Sequence, residues 1–111
     1  MNNIVFVNNS NSLNGLFFKK FSSNPGIGGT DYVTLKLILE LKEINNEFNF
    51  YLATQQKIKT SDVEILTKED LITDSIIISP INQIPYLNQL NYNNCRVILW
   101  SHHPHDPINF F

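Results

Sequence analysis

The chain is poor in several residue types: in 111 residues it has one cysteine, four glycines, one tryptophan and one methionine. A lone thiol, Cys95, excludes an internal disulfide and a cysteine-rich zinc site, and fits a reducing compartment. Charge is sparse as well, with 16% charged residues and a formal net charge of -2. No basic stripe is present, which argues against nucleic acid as the main partner, because phosphate backbones need clustered Lys or Arg. No apolar run approaches the ~20 residues of a membrane span. Ile4–Val7 is too short for the apolar heart of a secretion signal. These absences lead to the expectation of a cytoplasmic chain with no membrane span.

What is present is an ordinary globular balance, 42% apolar, in a length sufficient for one domain at most. The polar bulk is asparagine and the apolar bulk is rich in isoleucine, a bias that reads as AT-rich codon usage rather than chemistry.

Short apolar runs recur along the chain. Ile4–Val7 reads as a buried first strand, followed by a long polar loop broken by Leu16, Phe17, Phe18 and Phe21. From Thr30 to Asn45 two patterns compete. Val33, Leu35, Leu37, Leu39 and Leu41 alternate like a strand, whereas Val33, Leu37, Leu41 and Ile44, with Ile38 beside them, share a helical face. Sixteen residues exceed a normal strand, and Thr30 or Asp31 can cap a helix start, so the segment is predicted helical.

Phe48–Thr54 and Val63–Leu66 read as strands, and the stretch TKEDLI as a helical turn opening at Thr67. Ser75–Pro80 and Cys95–His102 are apolar strands, separated by a short helix with Pro85 near its start. Strands that alternate with helices and are apolar throughout indicate an α/β fold, an open parallel sheet with helices on both faces. The chain then stops at two phenylalanines directly after a strand, so the sheet is expected to be unfinished.

Two segments carry candidate chemistry. The first is Asn24-Pro-Gly-Ile-Gly-Gly-Thr-Asp31. It is no P-loop, since no Gly-Lys-Ser/Thr follows, and no dinucleotide fingerprint, since Asp31 stands where the third glycine belongs. Glycines ahead of a helix do let backbone approach a ligand, and first-turn amides suit an anion. A helix start that merely needs positive φ explains the stretch slightly better when it is taken alone. The second segment is Trp100-Ser-His-His-Pro-His-Asp106, at the carboxyl end of a strand. His102 would hydrogen-bond a substrate hydroxyl or phosphate there. His102, His103, His105 and Asp106 are also metal-ligand types, which admits a metal-dependent hydrolase. The His-x-His-x-Asp-His spacing of such enzymes does not fit: from His103 the aspartate position falls on Pro107, and from His102 the second ligand falls on Pro104. The patch Leu16–Phe21, with Lys19 and Lys20, reads either as an interfacial surface or as a satellite cluster folded onto the core.

In order and spacing, the first strand, the loop ending GIGGTDYVTLKLILELKE, the next strand and CRVILWSHHPHD resemble one family. They are similar to the N-terminal Rossmann-like domain of GT-B-fold glycosyltransferases of family 4, over nearly the whole chain. That family's Gly-Gly-x-Glu-like segment corresponds to Gly28-Gly29-Thr30-Asp31, and its Val-x-Val-His-like strand end to Leu99-Trp100-Ser101-His102. The resemblance implies a retaining transfer of a sugar from a nucleotide-sugar co-substrate to an acceptor hydroxyl, without a metal or other cofactor. It implies that Gly28 and Gly29 approach the donor diphosphate, with Thr30 and Asp31 beside them, and that His102 sits near the reacting sugar. His103 and Asp106 follow without a firm counterpart. Asp31 replaces the family's glutamate, and the second domain, with its nucleotide pocket and Glu-x7-Glu-like motif, has no match here. Residues 1–111 are therefore expected to be a partial acceptor-side domain, inactive without a second domain or chain. The rival expectation is a non-catalytic Rossmann-like module for a small phosphorylated ligand.

Overall fold

The computed structural model describes residues 2–17 and 29–101. Seven strands follow one another along them: β1 (Asn3–Val7), β2 (Asn49–Ala53), β3 (Glu64–Leu66), β4 (Leu71–Thr73), β5 (Ser75–Pro80), β6 (Asn91–Asn93) and β7 (Arg96–Trp100). Helix α1 (Gly29–Ile44) separates β1 from β2, and a short α2 (Ile84–Leu87) follows β5. Five strands make one parallel sheet in the order β3-β2-β1-β5-β7, while β4 and β6 pair in parallel apart from it. The fold is thus α/β with a five-stranded parallel sheet, consistent with a Rossmann-like arrangement. The strand order reverses at β1, which lies between β2 and β5.

Alternation along each strand builds two cores. Phe6 pairs in register with Leu52 on one side and Ile78 on the other, and this row faces α1. Leu35, Ile38 and Leu39 of α1 pack on Phe6, Phe50, Leu52 and Val63, so the helix lies over β1 and β2. On the opposite face Val5, Val7, Ala53 and Ile77 pack beneath Tyr86 and Leu87 of α2, with Ile72 of β4. That face is therefore covered by a single helical turn and a two-stranded sheet rather than by a long helix.

The small sheet arises from a pair of matched bends. Asp74 separates β4 from β5 and Asn94 precedes β7, both with positive φ, 49° and 54°. Asp and Asn tolerate this conformation better than other non-glycine residues. The Asn94 amide donates to the Asp74 carboxylate, joining the two bends.

One expectation needs correcting, and two others gain detail. The stretch after Thr67 is not a helical turn. Asp70 accepts from the Thr67 backbone N–H at 2.8 Å and returns its own N–H to the Thr67 carbonyl at 3.1 Å, closing a tight turn. Leu71–Thr73 then extends to pair with Asn91–Asn93, a strand too polar to be read from its pattern. The stripe Val33, Leu37, Leu41 and Ile44 is not the buried face of α1: Val33 and Ile44 are exposed, and Leu37 and Leu41 are only partly buried. Of the aromatic loop patch, Leu16 packs on the core while Phe17 is exposed; Phe18 to Phe21 lie outside the described residues.

Phe6 is fully buried in the central strand, whereas Val97 on edge strand β7 is exposed. Truncating Phe6 to Ala should cost about 3–5 kcal/mol, because it opens a cavity as well as losing transfer energy. Val97→Ala should change stability by no more than about 0.5 kcal/mol. Urea unfolding followed by far-UV circular dichroism compares the two.

Candidate functional site

All five strands of the main sheet point their carboxyl ends to one edge, and the chain leaves β1 there as Asn8-Asn9-Ser10-Asn11-Ser12. Asn8 is buried and holds the loop in two ways. Its Oδ1 accepts from the Ser10 N–H at 3.0 Å, and its Nδ2 donates to Asp31 Oδ1 at 2.8 Å. Ser10 Oγ donates to the same carboxylate oxygen at 2.9 Å, and Ser12 Oγ to Oδ2 at 2.7 Å. Asp31 is buried in the first turn of α1. Its charge is therefore met by three side-chain donors and by the positive end of the helix, the arrangement a buried carboxylate requires.

The same loop is tied to its other neighbours. Gln83, just past β5, accepts from the Asn9 N–H at 2.7 Å and donates to Ser10 Oγ at 3.1 Å. These bonds span the β1–β5 gap, where the strand order reverses and where open α/β sheets bind ligands. Toward β2, Asn9 Oδ1 accepts from the Gln55 N–H at 2.8 Å, and Gln56 Nε2 donates to the Asn9 carbonyl at 3.1 Å. Gln55 Oε1 accepts from Tyr86 OH at 2.8 Å and from the Lys68 N–H at 2.7 Å. Burial, reinforced by the negative charge of Glu69, raises the Tyr86 phenol from its usual 10 to about 12.

The sequence-predicted residues divide between the described and undescribed parts of the chain. Gly29, the first residue of α1, is exposed, and Asp31 is joined through Asn8 to the carboxyl end of β1. Gly29 does not have a positive φ, and a Cβ there would meet no described atom within 4 Å. Among the described residues, neither a positive φ nor a close contact requires a glycine at this position. Thr30 belongs to the same first turn. Gly28, His102, His103 and Asp106 lie outside the described residues, as does the metal reading built on the histidines. Ser101, the last described residue, follows β7 at the same sheet edge, and β1 and β7 run parallel within one sheet.

Sequence reasoning passed over Asn8, Asn9, Ser10, Ser12, Gln55 and Gln83. The available signal was VNNSNS directly after a buried strand, a run of short amide and hydroxyl side chains where backbone and ligand compete for donors.

Among the described residues, the groups of this rim are chiefly amides and hydroxyls arranged around the Asp31 carboxylate, with the Glu69 carboxylate beside Gln55 and Tyr86 toward β2. Such a set matches the alternating donors and acceptors of a polyhydroxyl ligand. It serves a phosphate poorly, because Asp31 already places negative charge at the α1 N-terminus. A separate depression of about 230 Å³, lined by Leu39, Lys42, Glu43 and Asp62, lies toward the other end of α1. Among the described residues no helix is long and apolar enough to cross a membrane. No family model, no curated protein and no solved structure matches the chain.

Replacing Asp31 by Ala leaves the buried Asn8 amide without its acceptor, while Ser10 and Ser12 can turn to water, and should destabilise the fold by roughly 1–3 kcal/mol. Asp31→Asn, which keeps one acceptor oxygen, should cost less; chemical denaturation at neutral pH ranks the two. For Tyr86 the sign is set by which state ionises first. The unfolded phenol loses its proton near pH 10 and the folded one near pH 12, so the stabilisation is complete below pH 10 and declines as pH rises toward 12. Tyr86→Phe should flatten that part of the stability curve relative to the parent chain, measured by urea midpoints from pH 9 to 11.5.

Proposed function

We propose that this chain is the acceptor-side, Rossmann-like part of a GT-B-type glycosyltransferase. In this reading it binds a carbohydrate hydroxyl at the carboxyl edge of its sheet, while a second domain or chain holds the nucleotide-sugar donor. The observation that carries the proposal is the amide and hydroxyl rim around Asp31, placed where the strand order reverses. Sugar recognition relies on short, directional hydrogen bonds from groups held in place beforehand. The β1 loop, tied to α1, β2 and β5, has that rigidity.

Two further features support the reading. Gly29 leaves open space at the first turn of α1, where a donor held by the partner domain could approach the backbone closely. The carboxyl end of β7, which leads into His102, His103 and Asp106, lies two strands from that of β1, roughly 10 Å along the rim. In this proposal Asp31 is a positioning residue: three donors hold it, and it orders the loop rather than moving protons. His102 is the group assigned to the reacting sugar. Substrate, pathway and turnover then depend on the other half of the cleft.

The test uses the whole chain, 15N-labelled, titrated with monosaccharides and disaccharides at millimolar concentration, and separately with inorganic phosphate and a nucleoside diphosphate. Saccharides should shift the amide signals of residues 8–12, 29–31 and 83, phosphate should leave them in place, and added nucleotide sugars should persist unhydrolysed. A stronger response to phosphate than to any saccharide would replace the proposal with a phosphorylated-ligand module. Turnover by the chain alone would refute its dependence on a second domain.

A further inference from the structure

The two edges of the α1-covered face are not equivalent. Alternation places Ile76, Ile78 and Ile98 in one apolar floor on that face, with Arg96 at its amino end and Trp100 at its carboxyl end. Ile98 is 44% exposed, and Ile76 and Ile78 are only partly buried. The wall of this floor is the outer flank of α1. At 100° per residue, Leu41 and Leu37 fall on the side away from Leu39, Glu43 and the β3 edge, while Val33 and Ile44 continue the apolar surface onto the side of α1 that faces away from the sheet. Val33 is 45% exposed and Ile44 80%. Among the described residues no element lies over β5 and β7 on this face. Floor and wall together form an apolar groove parallel to α1.

We infer that this groove docks one amphipathic α-helix of a partner protein, lying beside α1 in the same direction. The spacing selects a helix. α1 lies over β1 and β2, so a neighbour over β5 and β7 sits two strand spacings away, about 9.6 Å. Packed helices are separated by about 8–10 Å, so one helix fills the gap. The charge selects its direction. Arg96 is exposed at the end of the groove nearest the carboxyl terminus of α1, and among the described residues its side chain has no hydrogen-bond or salt-bridge partner. A helix running with α1 places its negative carboxyl end, and acidic side chains in its last turn, at that cation.

A second copy of the chain fits less well. Antiparallel pairing of two β7 edges would set the two α1 helices six strand spacings apart, roughly 29 Å, and leave both floors bare. The inference does not depend on the sugar-binding proposal, since the groove is on the sheet face and that site is on its edge.

Trp100, the single tryptophan, stands on the groove face and reports occupancy. The full chain is titrated with a synthetic 16-residue amphipathic helix carrying a leucine stripe and a Glu-rich last turn, and Trp100 emission is followed. Saturable binding is expected, weakened at least tenfold by Ile98→Asp or Leu41→Asp and less than twofold by Val97→Asp on the opposite face. Exchanging the peptide's last-turn Glu for Lys should weaken binding several-fold, and Arg96→Glu should reverse that preference. Far-UV circular dichroism checks that each variant is folded. Absence of saturable binding, equal losses for Val97→Asp and Ile98→Asp, or a dimer that Ile98→Asp dissociates would each overturn the proposal, the last in favour of a second copy.

Discussion

The hydrogen bonds that converge on Asp31 join the two halves of the first β-α unit. Asn8, Ser10 and Ser12 belong to the loop after β1, and Asp31 opens α1, nineteen or more positions later in sequence. Ordering a connection of that length is entropically unfavourable, and the cost grows with the logarithm of the loop. A buried carboxylate that lacks donors is strongly disfavoured, so the loop and the helix start are stable only when docked together. This constraint places the first turn of α1 against the carboxyl end of β1. The rim inherits its geometry from that contact.

The tether also sets the electrostatics of the site. A bare helix N-terminus at the carboxyl edge of a parallel sheet attracts anions. Here the chain supplies an anion of its own, and the surrounding side chains are neutral amides and hydroxyls. In the sugar-binding proposal this moves the preference from charge toward hydrogen-bond pattern, the distinction between a phosphate cradle and a surface for hydroxyl-rich ligands. Gln83 extends the logic across the strand reversal: through Asn9 and Ser10 it couples the β5 side of the rim to the loop that Asp31 holds.

Much of the architecture was legible in the sequence, because fully apolar strands separated by a long helical segment have few alternatives to a parallel sheet. The strands at Ile4, Phe48, Val63, Ser75 and Cys95 all have counterparts within a residue or two. What escaped notice has physical causes. The strand at Asn91–Asn93 is exposed and polar, so no hydrophobic alternation marks it. The turn at Thr67 is closed by an aspartate side chain that mimics a cap, and the same pattern suits a helix start. At the rim, Asp31 was legible as a residue of interest beside the glycines, but its partners were not. They are asparagines and serines of a composition shared with the rest of the chain, and only the fold shows which of them are buried.

The ambiguity of Val33 to Leu41 has a structural origin that connects the sequence to the open face. A helix buried on one side shows one apolar stripe, and its pattern is clearly helical. α1 carries two adjoining stripes, one through Leu35, Ile38 and Leu39 that meets the sheet, and one that runs from Leu37 and Leu41 on its flank to Val33 and Ile44 on its outer side. Superposed, they place an apolar residue at every second position from 33 to 41, which imitates a strand. A second stripe of four aliphatic residues is more than a solitary surface helix needs, and single exposed apolar residues would require no explanation. Its continuity with Ile76, Ile78 and Ile98 does: wall and floor come from segments far apart in sequence, yet they meet along one line where a neighbouring helix would complete the layer.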